Sequence, residues 1–354
     1  MEPMNTRVLV TGGAGFIGSA MVRSLVGQSG VEVCNFDNLS YSGNLNNIES
    51  VANRSNYRFV HGDVRDLDQL RAVFADFSPE IVFHLAAESH VDRSLHAPLS
   101  FVESNVLGTA NMLEAARDWL EANSANREDF RFVHVSTDEV FGSASGDELF
   151  REDTPYRPNS PYSASKAGAD HLVLAWATSF GLPALVTNSS NNYGPHQFPE
   201  KLIPLMIISC LEGGRLPVYG EGENVRDWLY VEDNVAALWE IALHGNIGET
   251  YLIGGGEQRR NLEVVESVCD LVAELSGGEN ARERICFVAD RPGHDFRNAI
   301  DYSKIERELS WKPRESFDSG LRKTVEWYLQ NRKWVDAVRD GSYRDWLELN
   351  YGQR

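Results

Sequence analysis

The sequence predicts an α/β protein, a doubly wound parallel sheet carrying a smaller, loop-rich domain. Three observations predict it. Short apolar runs alternate with helical stretches through the first half of the chain. Most of these runs are near-continuously apolar, as strands covered on both faces require. A glycine-rich turn joins the first run to the first helix, the place where such sheets bind ligands.

Taken in order, Arg7–Thr11, Val31–Asp37, Tyr57–Asp63, Ile81–Ala86, Phe130–Ser136 and Leu182–Asn188 read as strands. Helices are expected from Phe16 to Val26, from Pro98 to Leu120 and from Tyr162 to Ser179. Pro98 suits a first helical turn, and Val102, Val106, Ala110, Leu113 and Leu120 are expected on one stripe. From Asn191 onward glycines and prolines break the chain into short pieces, and Glu249–Ile253 reads as a strand returning to the sheet. The expected division is residues 1–190, with a returning segment at about 229–255, for the first domain. Residues 191–228 and 256–354 then form most of the second.

The 354 residues suit one large or two closely packed domains, and 42% hydrophobic with 24% charged residues is an ordinary globular balance. With 52 acidic against 33 basic residues the net charge is −19, which argues against nucleic acid as partner. Four cysteines, Cys34, Cys210, Cys269 and Cys286, lack metal-site or disulfide-framework spacing. No stretch approaches the ~18 apolar residues of a membrane span. A strand and glycine loop within the first dozen or so residues leave no room for a signal peptide. The expectation is a soluble cytoplasmic protein with reduced thiols.

Gly12-Gly13-Ala14-Gly15-Phe16-Ile17-Gly18 follows the first strand and opens the first helix. Glycines there permit a tight turn and close approach of backbone N–H groups to a pyrophosphate. Asp37 ends the second strand, where a carboxylate accepts from both adenosine ribose hydroxyls and repels a 2′-phosphate. Strand, turn, helix and spaced aspartate together predict a Rossmann-type site for NAD rather than NADP.

Tyr162 and Lys166 are spaced i, i+4 on one helix face. A free tyrosine, with a pKa near ~10, is a poor base at neutral pH. A neighbouring ammonium and a positive nicotinamide ring favour its phenolate, so Tyr162 is placed to take a hydroxyl proton. Ser136-Thr137-Asp138-Glu139 follows the fifth strand. Two carboxylates there suggest a second proton transfer beyond the one Tyr162 supplies. A helix N-cap explains the same residue types, and both readings stand. His84, His90 and His96 recur every six residues, which fits neither a helix face nor a zinc site, so no metal is expected.

These motifs resemble the extended short-chain dehydrogenase/reductase family. Within it, His84–Ser94, Ser136–Gly142, Ser190–Pro195, Phe198–Pro204, Arg226–Asp233 and Ala289–Asp295 resemble the dTDP-glucose 4,6-dehydratases, as does the tail Gly341–Tyr351. The resemblance implies an NAD-dependent hydro-lyase acting on a nucleotide sugar, commonly a homodimer built through a four-helix bundle. It implies Tyr162 as base for the C4 hydroxyl with Lys166 as its partner, and Thr137 as a hydrogen-bonder. Asp138 would be acid for the C6 hydroxyl and Glu139 base at C5. It assigns Gly12, Gly15, Phe16, Ile17, Gly18, Asp37, Asn38, Leu39, Ser40, Asp63, Val64, Leu85, Ala86, Ala87, Ser104 and Asn192 to the cofactor. It assigns Ser89, Asn191, Lys201, Leu202, Pro217, Tyr219, Arg226, Asn261, Asp290, Arg291 and His294 to the nucleotide sugar. Asn188 stands where many members carry arginine, Asn234 replaces a frequent histidine, and Gly254-Gly255-Gly256 lacks a usual polar pair. None of these departures removes a catalytic position, but they leave base and sugar open. A dehydratase of UDP- or GDP-sugars, a C4 epimerase and a non-catalytic NAD sensor are the alternatives.

Overall fold

The computed structural model describes residues 6–123 and 127–339, and the tail Gly341–Tyr351 lies outside the described residues. Seven parallel strands form the central sheet in the order β3-β2-β1-β4-β5-β6-β10. They are β1 (Thr6–Thr11), β2 (Val31–Asp37), β3 (Tyr57–His61), β4 (Ile81–His84), β5 (Arg131–Thr137), β6 (Ala184–Ser189) and β10 (Thr250–Ile253). The order reverses between β1 and β4, which opens a crevice at the carboxyl ends of the strands.

Side chains alternate across this sheet, and both faces are covered. Val8 and Val10 of β1 pack with Met21, Val22 and Leu25 of α1 (Phe16–Val26) and with Leu238 and Ile241 of α8 (Val231–His244). Leu9, between them, packs on the opposite face with Leu70 and Phe74 of α2 (Leu67–Phe77) and Leu113 of α5 (Gly108–Ala122). Val173 of α6 (Pro161–Phe180) joins that second layer. Full burial of each such side chain is worth about 1.5–3 kcal/mol, and cover on both faces is why the strand is apolar throughout.

The helix expected over Pro98–Leu120 is not regular. After α3 (Val91–His96) and α4 (Pro98–Phe101), a π-helical segment spans Val102–Leu107 before α5 begins. Wider π turns rotate the following residues about the axis, so the expected stripe is not one buried face. Val102 is 48% exposed while Leu113 is fully buried, and Asn105 turns inward instead. Its amide accepts from Glu88 N at 2.8 Å and donates to Ser165 Oγ at 2.8 Å.

Beyond β6 the chain leaves the sheet through β7 (Asn191–Tyr193), α7 (Leu202–Glu212), β8 (Leu216–Tyr219) and β9 (Val225–Tyr230). It returns through α8 and β10, where Ile253 pairs with Ser189 of β6. A separate core forms where α7 packs with α9 (Asn261–Ser276) and with the helices Phe317–Gln330 and Arg332–Val338. No helix among the described residues is long and apolar enough to cross a membrane.

Candidate active site

A cavity of about 270 Å³ lies at the carboxyl ends of the strands, lined from the glycine loop at one end to Lys201 at the other. The glycines are required by contact. Gly12 has φ +72°, and a Cβ there would lie 2.7 Å from Ala86 N; one on Gly18 would lie 2.1 Å from Gly12 O. Gly15 is roomier, its nearest neighbour being Gly12 O at 3.3 Å, and no side chain caps α1 at this residue. The first-turn N–H groups are thus left for an anion.

Asp37 ends β2 and is 7% exposed. Its Oδ2 accepts from Ala14 N at 2.9 Å and its Oδ1 from Leu39 N at 2.7 Å. Burial raises its pKa and these two N–H groups oppose the rise. Each carboxylate oxygen keeps one acceptor site, as a ribose diol requires. Gly12, Gly15, Phe16, Ile17, Gly18, Asn38, Ser40, Val64, Leu85, Ala86, Ala87, Ser104 and Asn192 line the cavity with Asp37. Leu39 and Asp63 do not. Asp63 stands behind Asn38, accepting from its Nδ2 at 3.2 Å, and hydrogen bonds from Arg65 hold its carboxyl down to about 2.

Thr137, Asp138, Glu139, Tyr162 and Lys166 meet in the same cavity. Asp138 and Glu139 open a short 3-10 turn, Asp138–Phe141, capped by Thr137. Tyr162 sits in the first turn of α6, whose start is set by Pro161 and by a reciprocal Ser160–Ser163 cap. Asp138 is 1% exposed, and burial, reinforced by the Glu139 charge, pushes its pKa well above the usual carboxylate range. Burial also raises Glu139, but Arg291, Arg226 and Lys201 pull against it. Two neighbouring carboxyls in such unequal surroundings suit opposite proton-transfer roles. Burial raises Tyr162 and Glu139 adds to the rise, while a hydrogen bond with Thr137 opposes it. Burial lowers Lys166 to about 8.

Ser89, Asn191 and Lys201 also line the cavity, and Lys201 Nζ donates to Ser89 O at 2.9 Å. Leu202, Pro217, Tyr219, Arg226, Asn261, Asp290, Arg291 and His294 do not line it. Part of that set is joined by Asp92, whose Oδ2 accepts from Tyr219 Oη at 3.3 Å and lies 3.7 Å from Arg291 Nη1. His294 Nδ1 is 2.7 Å from Asp290 Oδ1, and Arg226 donates to Asp295 O at 2.8 Å. Leu202 opens α7, Asn261 opens α9, and Pro217 lies in β8 opposite Cys286. The charges of Arg291 and Arg226 nonetheless reach Glu139, opposing its rise.

Tyr41 and Glu200 are among the cavity residues that sequence reasoning did not single out. The Tyr41 ring lies 4.0 Å from the Arg93 guanidinium and 5.7 Å from the Phe198 ring, edge to face. Arg93 Nε donates to Glu200 Oε2 at 3.0 Å. The loop after β2 is thereby joined to the segment before α7. No spacing announces this contact, because its partners lie far apart in sequence. Of the three histidines, His84 lies between Thr11 Oγ1 at 2.8 Å and Thr109 Oγ1 at 3.0 Å, and His90 caps α3. No three His, Cys, Asp or Glu side chains among the described residues gather to hold a metal ion.

A family model described as GDP-mannose 4,6 dehydratase matches residues 9–324. The dTDP-glucose 4,6-dehydratase of Shigella flexneri is 53% identical over 98% of this chain and 99% of its own. The crystal structure of the Streptomyces venezuelae dTDP-glucose 4,6-dehydratase, with NAD bound, superposes with a TM-score of 0.86 at 42% identity, covering 94% of this chain and 100% of that one. The enzyme of the same name from Bacillus anthracis, in complex with NAD, gives 0.84 at 41% identity, covering 94% and 99%. With its sheet order, its glycine loop and its Thr137-Asp138-Glu139 turn facing Tyr162, the chain belongs to the dTDP-glucose 4,6-dehydratase family of short-chain dehydrogenase/reductases.

Proposed function

We propose that the protein dehydrates dTDP-glucose to dTDP-4-keto-6-deoxyglucose and water, using NAD catalytically. The observation that carries this reading is the meeting of Asp138 and Glu139 with Tyr162 and Lys166 in the cavity that begins at the glycine loop. An epimerase needs one acid–base group; the two added carboxyls serve an elimination.

The residues fit NAD. The uncapped start of α1 and Gly15 suit its pyrophosphate, and the spare acceptor sites of Asp37 suit its adenosine ribose. When bound, NAD supplies the redox chemistry, accepting hydride from C4 and returning it to C6. Tyr162 takes the C4 hydroxyl proton, with Thr137 as hydrogen-bond partner and the Lys166 charge favouring the phenolate. The new ketone acidifies the C5 proton, which Glu139 removes and, after the elimination, returns to C5. Asp138, held protonated by burial, donates to the departing C6 hydroxyl. Ser89, Asn191 and Lys201 bind the sugar, and Arg226 and Arg291 bind the nucleotide diphosphate. Residues 1–190 with 229–255 serve the cofactor, and 191–228 with 256–354 serve mainly the nucleotide sugar.

We also infer a cytoplasmic homodimer. Leu99, Val102 and Leu107 are 73%, 48% and 51% exposed along one irregular helical stretch, an apolar surface that a second copy would cover. The four cysteines are free thiols, in keeping with a reducing compartment. The experiment that tests the activity is product NMR after incubation with dTDP-glucose, UDP-glucose and GDP-mannose, without added NAD. A 4-keto-6-deoxy product from dTDP-glucose alone is expected; its absence there overturns the reading.

A further inference from the structure

Behind the cavity a line of buried polar groups runs away from Lys166, and the proposed reaction makes no use of it. Tyr162, Lys166 and Asp170 recur at i, i+4 and i+8 on α6, so they share one helix face. Lys166 is 4% exposed and His134 and Asp170 are fully buried. Lys166 Nζ donates to Val135 O at 2.8 Å and lies 3.4 Å from His134 Nε2. The same His134 nitrogen is 3.2 Å from Asp170 Oδ1. Asp170 Oδ2 accepts from Ser136 Oγ at 2.9 Å, Tyr156 Oη at 3.0 Å and Asn188 Nδ2 at 3.1 Å.

Three donors converging on one oxygen suit an ionised carboxylate, whose oxygens only accept. A buried charge of this kind is desolvated, so it needs a partner. Neither His134 Nδ1 nor Asp170 Oδ1 makes a hydrogen bond; His134 Nε2 approaches that oxygen at 3.2 Å. Burial and the Lys166 charge hold His134 down to about 4, so the ring is neutral and Asp170 is left to balance Lys166.

We propose that Asp170, bridged by His134, is a positioning residue whose negative charge keeps Lys166 an ammonium beside Tyr162. This rests on reading Tyr162 and Lys166 as the acid–base pair. The groups facing the cluster are His84 from β4, His134 from β5, Tyr162 and Asp170 from α6, Tyr156 from the segment before it, and Asp138 and Glu139 from the turn after β5. Of these, Asp170 is the one whose charge favours the protonated lysine.

The test is the pH profile of C4 oxidation in single turnover by NAD-loaded enzyme, comparing the parent with Asp170→Asn and Asp170→Glu. Melting temperature and bound NAD are measured on the same samples. Asp170→Asn should keep a rate within about threefold of the parent near pH 6, where Lys166 stays charged without help. Near pH 8 its rate should fall about tenfold or more, because the alkaline limb moves to lower pH. Asp170→Glu, which keeps the charge, should restore the parent's limb. Asp170→Ser repeats the measurement where Asp170→Asn does not fold. An unmoved limb in a folded, NAD-loaded charge-removing variant overturns the proposal, as does an equal loss at every pH. A parent that makes no 4-keto-6-deoxy product overturns the functional reading instead, so the two failures are distinct.

Discussion

Thr137 Oγ1 accepts the backbone N–H of Glu139 at 3.3 Å, and both side chains line the same cavity. The cap and the chemistry are one structure. By closing the turn after β5, Thr137 brings Asp138 and Glu139 round to Tyr162, where a longer strand would have sent them past it.

This relationship separates two variants. Glu139→Gln should fold and still oxidise C4, because Tyr162 and Lys166 are untouched, while elimination falls by two or more orders of magnitude. Bound NADH should accumulate and solvent deuterium should enter C5 far more slowly. Asp138→Asn should retain C5 exchange but lose the C6 hydroxyl slowly. Single-turnover absorbance at the NADH band, read alongside deuterium incorporation, checks both; parent-like turnover in both variants contradicts the assigned roles.

Turnover should need no added cofactor, since hydride leaves and returns within one cycle. Purified protein should show nucleotide absorbance and release NAD on denaturation. The Tyr41, Arg93 and Glu200 contacts that join the loop after β2 to the second lobe favour slow release. Stoichiometric dependence on external NAD, with NADH accumulating, contradicts the internal return.

The glycine loop should be intolerant in a graded way. Gly18→Ala places a Cβ 2.1 Å from a backbone oxygen that cannot move alone, and should cost about 1–3 kcal/mol with loss of bound NAD. Gly15→Ala meets nothing nearer than 3.3 Å and should cost less stability. Urea denaturation and NAD content of the two variants check this; equal stability of Gly18→Ala and parent would be inconsistent with the close packing of the loop.

The parent should scatter light as a dimer at micromolar concentration. Val102→Glu combined with Leu99→Glu should yield monomers, because two carboxylates would be buried in an apolar contact. A monomeric parent rules out the homodimer.

The sequence by itself determined the sheet, the first glycine loop and the Tyr162–Lys166 pair. These are local facts: a near-continuous apolar run in β1, glycines at 12, 15 and 18, and a four-residue helical spacing are written within a few neighbouring residues. Strand ends moved by a residue or two, since hydrogen bonding rather than hydropathy stops a strand; the run expected to reach Ala86 ends at His84. The break at Val102–Leu107 was illegible, because an inserted π turn keeps the apolar residues while turning them to another side. What only the tertiary structure decided is which distant groups meet. Tyr41 reaches Arg93, and Ser136 and Asn188 converge on Asp170, only after β5 and β6 have paired in register with Ser136 opposite Asn188. A hydrogen bond across 34 residues has no period to betray it; it exists because two elements packed for other reasons left a buried oxygen with three donors around it.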